Sequence, residues 1–245
     1  MAWKRRHGIL SAFFVVAIGP GSGAGAAFAQ PVSTGSADAY SPRRGLNHTV
    51  DAALGVGDGV TTAVSLNNFY GFKLLSRTLS PGLGIRVASY FGGDNVSFST
   101  ADADLIRANK TNVLSISGAQ TNSVNLSFHL KGEIFPGFEL GFDIDLIGFG
   151  FGNSRTGTYS STDPSLAGPQ AAHASSFNIF LFGKSDRGQL DSEFYAAYWL
   201  NNHWALRAGF SHFISEYTTD NALDFGNNRF RHSANLGFVG VSYRL

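Results

Sequence analysis

Residues 123–152 read SVNLSFHLKGEIFPGFELGFDIDLIGFGFG, and this stretch decides the fold. In both of its halves apolar and polar residues alternate one by one, which is the side-chain period of a β-strand. Between the halves lies Phe135-Pro136-Gly137. Proline presets φ and glycine tolerates positive φ, so these residues predict a tight turn. The stretch therefore predicts a β-hairpin with one apolar face and one polar, charged face.

The same alternation recurs along most of the chain and predicts an all-β protein. The connections at 92–121 and 150–188 are long and polar, whereas those at 135–137 and 201–203 are short. Long loops on one side and short turns on the other are typical of outer-membrane β-barrels, whose strands of about ten residues cross the bilayer at a tilt. The predicted strands are 47–57, 61–72, 82–92, 122–134, 137–149, 174–183, 189–200, 203–217 and 232–245.

The number of predicted strands conflicts with the even number of strands in single-chain bacterial barrels. Strand 137–149 ends on the side where strand 189–200 begins, so everything between them starts and finishes on the same side. Segment 175–183 therefore cannot cross alone, and we expect it in the outer loop as an extension paired above the membrane. Eight crossings of an antiparallel up-and-down barrel remain. Ten would require a hidden strand within 152–173, a polar stretch that contains Pro164 and Pro169.

The N-terminus has the layout of a secretory signal peptide. A basic start is followed by an apolar run of about ten residues, which is too short for a spanning helix. An Ala27-Phe28-Ala29 cleavage site comes next. We predict a signal peptide at 1–29, a flexible periplasmic segment at 30–45 and a barrel domain at 46–245.

Composition excludes several classes of protein. The net charge of +1 leaves no basic face for nucleic acid, and there are no cysteines for disulfides. No apolar stretch after residue 30 suits a transmembrane helix. A soluble lipocalin-like barrel would also alternate, but its outer face would be dense in Lys and Glu, and this chain is only 14% charged. Aromatic residues near strand ends are expected to form interfacial girdles: Tyr90, Phe91, Phe149, Phe151, Tyr198, Trp199, Trp204, Tyr217 and Tyr243.

Two motifs carry a resemblance to a known family. YWLNNHWALRAGF (198–210) and the terminal VSYRL (241–245), together with the alternating strands, resemble small outer-membrane β-barrel proteins of Gram-negative bacteria. GFDIDLIGFGFG (141–152) is similar to a segment of uncharacterised barrels of this type. The resemblance implies outer-membrane lipid and the barrel-assembly machinery as partners, but no named activity. The closing strand resembles the C-terminal assembly signal, carried here by Val239, Val241, Tyr243 and Leu245; that signal usually ends in Phe, and Leu245 departs from it.

If the apolar face meets lipid, the polar face points into the lumen. The interior of an eight-stranded barrel is just wide enough for side chains to fill, and buried charges must pair. We therefore expect a lumen largely plugged by ion pairs, with a narrow conduit or a cation bound by Asp143 and Asp145 as alternatives. The predicted lumen polar network is Arg86, His129, Lys131, Glu133, Glu139, Asp143, Asp145, Glu193 and Arg207; Asp51, Tyr90, Asn125, Asp191, Tyr195 and Arg244 also face inward.

Three functions are compatible with this barrel. The main hypothesis is a structural or surface-interaction role for the outer loops; the alternatives are a narrow channel for small solutes or hydrophobic compounds, and an envelope lipid hydrolase. RHSANLG (231–237) superficially resembles a lipid A deacylase motif, but the residue two positions after His232 is Ala234. Residues two apart share a face of a strand, so the register fails. A serine from another strand could still meet His129 or His212, although no motif supports this, and we expect no enzyme activity, no cofactor and no metal.

Overall fold

The computed structural model describes residues 40–41, 44–74, 77–161 and 163–245. The predicted signal peptide at 1–29 and most of the predicted N-terminal segment lie outside the described residues. In the part of the chain that is described, no helix is long and apolar enough to cross a membrane.

The described residues form thirteen strands, one short α-helix and one short 3-10 helix, and every strand pairing is antiparallel. The elements are β1 (Gly45–Gly57), β2 (Gly59–Leu74), β3 (Arg77–Phe91), β4 (Val96–Thr100), α1 (Ala103–Arg107), β5 (Val113–Ile116), β6 (Gln120–Phe135), β7 (Phe138–Phe151), β8 (Arg155–Ser160), β9 (Gly168–Ala174), β10 (Phe177–Ile179), β11 (Leu190–Trp199), β12 (Trp204–Thr219), the 3-10 helix Asp224–Gly226, and β13 (Arg229–Arg244).

Eight of these strands pair in a closed cycle, which we call the main ring. Its order is β1, β2, β3, β6, β7, β11, β12 and β13, and β13 pairs back onto β1. Val239 on β13 lies opposite Leu54 on β1, so the C-terminal strand closes the ring. Its backbone groups are bonded on both sides, which explains how the chain can end on an apolar strand.

The total of thirteen strands differs from the predicted eight or ten. The additional strands, β4, β5, β8, β9 and β10, lie in the segments interpreted as loops. A strand within 152–173 was not expected, because this stretch contains Pro169. The proline lies near the start of β9, where proline is tolerated. Short strands of this kind are stabilised by pairing with residues far away in the chain, and this pairing leaves little local signal.

Four of the additional strands build a second closed ring, which we call the head. β9, β8, β5 and β4 run in this order between the loop-side ends of β12 and β13, which pair with each other. β10 instead pairs with the end of β7, as an extension of the wall. The head has an apolar core, unlike the polar lumen of the main ring, and it contains Phe98, Leu114, Ile116, Ala119, Tyr159, Ala172, Tyr217, Leu223 and Phe230.

The outer face of the main ring is apolar, as the alternation predicts. Leu54, Phe210 and Val239 expose 47%, 74% and 62% of their surface. One β-bulge changes the parity of β7: Leu126 pairs with Ile147 and Ser127 with Asp145, so Leu146 has no partner. Beyond this point Ile147 is exposed, whereas the sequence predicts Leu146 on the apolar face.

Three of the aromatic residues predicted for the interfacial girdles are buried inside the protein. Tyr90 stacks on Phe213 in the lumen, Trp199 lies at the turn end of the lumen, and Tyr217 is in the core of the head. An aromatic residue near a strand end satisfies the girdle pattern on either face, and strand parity decides the face. Phe91, Phe149, Phe151, Tyr198 and Trp204 are exposed, and Tyr243 is half-buried.

Candidate functional site

The structure brings the predicted lumen residues together inside the main ring. Strand parity places each of them on the inner face, and each is buried: Arg86, His129, Lys131, Glu133, Glu139, Asp143, Asp145, Glu193 and Arg207, and with them Asp51, Tyr90, Asn125, Asp191, Tyr195 and Arg244.

Two guanidinium groups organise the middle of the lumen. Arg86 on β3 pairs with Asp143 and lies 3.4 Å from carboxylate oxygens of both Asp145 and Asp191. Arg207 on β12 approaches Asp51 at 2.8 Å and Asp143 at 3.4 Å. Glu193 lies 2.9 Å from Arg207 and 3.8 Å from Arg86. We call this set the ion-pair cluster, and it joins five strands across the lumen: Asp51, Arg86, Asp143, Asp145, Asp191, Glu193 and Arg207.

Neutral side chains complete the hydrogen bonding of the carboxylates. Asn67 donates to Asp51 Oδ2 at 2.9 Å, and Ser211 donates to Asp191 Oδ1 at 2.6 Å. The prediction of the network did not include Asn67 and Ser211, although their strand parity alone places them inside. Such bonds matter because five carboxylates share only two guanidinium groups, and buried charge without compensation is costly.

The same contacts bear on the cation hypothesis for Asp143 and Asp145. Both carboxylates contact Arg86, so a guanidinium already supplies positive charge to them. Within the described ranges, no group of three or more His, Asp or Glu residues is arranged to hold a metal ion.

A second group of charges lies at the turn end of the lumen. Lys131 Nζ is 3.1 Å from Glu139 and also lies over the rings of Phe69 and Trp199. The Arg244 guanidinium stacks on Trp199, 3.8 Å from the ring centre. Tyr40, from the segment predicted to be flexible, stacks on the same indole at 6.2 Å. These contacts narrow the lumen on the side of the short turns.

Apolar packing closes the loop end. The rings of Tyr90 and Phe213 stack across the lumen at 5.5 Å, and the Tyr90 hydroxyl donates to the Asp58 carbonyl oxygen at 2.8 Å. The small residues Ala88 and Ala234 fill the space around them. This layer therefore closes the lumen at the loop end.

Comparison with known proteins identifies no family. No protein-family model matches the chain, and no curated protein matches it. Among solved structures, a major outer membrane protein from Thermus thermophilus aligns with a TM-score of 0.41 at 14% identity, covering 82% of this chain and 100% of that one. The CymD monoaromatic hydrocarbon channel aligns with a TM-score of 0.20 at 9% identity, covering 83% of this chain and 88% of the channel. The P. putida toluene transporter TodX aligns with a TM-score of 0.18 at 11% identity, covering 84% of this chain and 80% of the transporter. Similarities this weak identify neither a family nor a function, and the barrel fold rests on the strand pairing itself.

Proposed function

We propose that this protein is an outer-membrane barrel with a structural or surface-interaction role, in which a sealed main ring anchors the head at the cell surface. The observation that carries the proposal is the pairing of two rings with opposite interiors. The main ring is polar inside and apolar outside, whereas the head has an apolar core. The first arrangement suits lipid, and the second suits water.

The outer face supports the membrane location. Soluble monomers rarely expose apolar patches beyond a few hundred Å², yet large apolar side chains are exposed on every strand of the main ring. Polar pairs border this surface at both ends: His48 with Asn68 near the turns, and His212 with Asn235 near the loops. The Leu245 amide donates to the His48 carbonyl oxygen, so Leu245 marks the level of the lower pair. Asn235 of the upper pair lies on the same strand, and ten residues therefore separate the two levels. At about 3.3 Å per residue and a tilt of about 40°, the band is roughly 25 Å tall, as in outer-membrane barrels.

The head supports the surface role. Its outward positions are mostly small and polar, and they lie on strands rather than on free loops, so they form a rigid platform. Loops and projections of this kind commonly carry binding functions in barrels. The exposed hydroxyl residues are Ser97, Ser99, Thr156, Thr158 and Ser160.

Partners during assembly follow from the C-terminal strand. Val239, Val241 and Leu245 are exposed on the lipid side and Tyr243 is half-buried there. This presentation fits recognition by the barrel-assembly machinery, followed by contact with outer-membrane lipid.

The absence of cysteine gives a direct test of location and orientation. Thr158→Cys on the head and Lys73→Cys at the turn end are both exposed positions. On intact cells, a membrane-impermeant maleimide should label Thr158→Cys and should reach Lys73→Cys only after the envelope is opened. Folded barrel should also be recovered in outer-membrane fractions with heat-modifiable gel migration. Labelling of Lys73→Cys alone on intact cells, or a mature protein that is soluble without detergent, would contradict the proposal.

A narrow channel is the second candidate, favoured by the excess of carboxylates over guanidinium groups in the lumen. Conduction would require displacement of the Tyr90–Phe213 layer. Planar-bilayer recording distinguishes the two functions: a sealed anchor gives no reproducible conductance steps, whereas steps abolished by altering Arg86 or Asp143 would favour the channel.

A further inference from the structure

Three polar residues form a row across the outer face of the main ring. Ser192 on β11 lies directly opposite His212 on β12, and His212 lies directly opposite Asn235 on β13. The next outward residues toward the turns on β11 and β12 are Phe194 and Phe210, both strongly exposed. The row therefore stands at the border between the apolar band and the loops, the level at which the esters of a bilayer lipid lie.

The histidine of this row is oriented by the asparagine. His212 Nδ1 is 2.9 Å from Asn235 Oδ1, and the backbone amide of Asn235 donates to Asp58 Oδ2 at 3.1 Å. An amide oxygen only accepts hydrogen bonds, so Nδ1 must carry the proton. The basic lone pair of the neutral imidazole is then on Nε2, where a nucleophile would need it.

The serine is the neighbour of that base across the β11–β12 pair. Residues directly opposite on antiparallel strands have Cβ atoms about 4.5–5.5 Å apart. The Ser192 hydroxyl lies 3.5 Å from the His212 carbonyl oxygen, at the limit of a hydrogen bond, and is therefore weakly held. Nucleophilic attack requires that rotation about χ1 of Ser192 bring this hydroxyl to His212 Nε2.

The row lies where two apolar grooves meet on the outside of the wall. The groove toward the loops has a volume of about 450 Å³ and is lined by Ile144, Phe180 and Ile214, with Ser192, His212 and Lys184 also at its surface. The groove toward the bilayer has a similar volume of about 450 Å³ and contains the whole row together with Phe142, Phe194 and Phe210. An acyl chain can lie in the second groove while its ester faces the row.

We propose that Ser192, His212 and Asn235 form a serine esterase site for acyl lipids of the surrounding leaflet, an activity beyond the anchoring role. Ser192 Oγ attacks the ester carbonyl carbon while its proton passes to His212 Nε2. The carbonyl–oxygen bond breaks, and the alcohol leaves with that proton. Water then attacks the acyl-serine and gives a proton to His212, and the fatty acid leaves as Ser192 regains its hydrogen. Lys184, at the surface of the groove toward the loops, supplies positive charge for the anionic intermediate.

The chain contains two matched controls, each lacking one member of the row. His48 bonds to Asn68 Oδ1 through Nδ1 at 2.6 Å, but the residue on its other side, on β13, is Leu245 rather than a serine. Ser89 bonds to Asn122 at 2.8 Å, but its other neighbour is Thr62 rather than a histidine. Both pairs face outward, the first near the turns and the second toward the loops, and neither contains the complete set of serine, histidine and asparagine.

The experiment uses the full mature barrel refolded in detergent, with folding checked by heat-modifiable migration. A long-chain alkyl fluorophosphonate should label Ser192, as located by peptide mass spectrometry, and the p-nitrophenyl ester of a long-chain fatty acid should be hydrolysed. Ser192→Ala should abolish both signals. His212→Ala should slow hydrolysis by about 100-fold or more, while Ser89→Ala and His48→Ala should match the wild type.

Asn235 acts as a positioning residue, and its variants separate orientation from folding. Asn235→Asp retains an acceptor for Nδ1 and should keep most of kcat, whereas Asn235→Leu should lower kcat with KM little changed. Folded wild-type protein that shows no labelling of Ser192 would overturn the proposal. Labelling that is unaffected by His212→Ala, or lost equally in His48→Ala, would also overturn it.

Discussion

The ion-pair cluster predicts a large effect for Arg86→Gln. This substitution removes the guanidinium and leaves a neutral amide. Asp143 and Glu193 still contact Arg207, but Asp145 and Asp191 contact no other cation among the ion pairs of the described residues. Two buried carboxylates then remain with hydrogen bonds alone.

The magnitude follows from burial. Arg86 and Asp145 expose 2% and 0% of their side chains, and Asp191 exposes 3%. Removal of one partner from a buried ion pair costs about 3–5 kcal/mol. We expect the free energy of unfolding to fall by about this amount, which is a large part of the roughly 5–15 kcal/mol that stabilises a typical protein.

The matched control is Arg107→Gln. Arg107 lies 2.7 Å from Asp104, but the two side chains are 62% and 89% exposed. An exposed pair of this kind contributes less than about 1 kcal/mol. The comparison therefore separates burial from the loss of one positive charge.

The assay is urea unfolding of the barrel in lipid vesicles, followed by tryptophan fluorescence. Trp199 is buried at the turn end of the lumen and reports on the inside of the main ring. Adding Asp145→Asn and Asp191→Asn to Arg86→Gln should recover more than half of the loss, because it removes the uncompensated charges. A loss below about 1 kcal/mol in the single variant, or no recovery in the triple variant, would refute the reasoning.

Three further predictions test other parts of the molecule. Val239→Arg places a charge on the lipid face and should cost about 2–4 kcal/mol of folding into vesicles, whereas Thr158→Arg on the head should cost little; equal effects would contradict the assigned faces. Deletion of 243–245 removes the pairing of Tyr243 with both Val50 and Trp204, and unassembled protein should accumulate in the periplasm on immunoblots of cell fractions. Burial raises the pKa of Tyr159 to about 12 from its usual value of about 10. The stability that the neutral form of Tyr159 contributes should be present below about pH 10 and be lost between about pH 10 and 12. Tyr159→Phe removes the ionisable group, so its urea midpoint should fall less steeply over this range than that of the wild type.

The alternation of the chain determined the main ring and its two faces. Side-chain direction in a strand depends only on parity along the chain, so Arg86, Asp143 and Arg207 could be assigned to the lumen without knowledge of their neighbours. The assignment was wrong beyond Asp145, where the bulge at Leu146 reverses the parity. A bulge is a property of two strands together and leaves no periodic mark on one of them.

Contacts between strands were decided by the tertiary structure alone. The head exists because short segments pair with the ends of β12 and β13, and these polar segments showed no sign of a closed ring. The meeting of Ser192, His212 and Asn235 depends on the registers of β11, β12 and β13, and a shift of one residue would turn a whole strand to its other face. Periodicity is local and can be read from the chain, whereas register is set by packing and by turns across distant segments, and for this protein only the folded structure contains it.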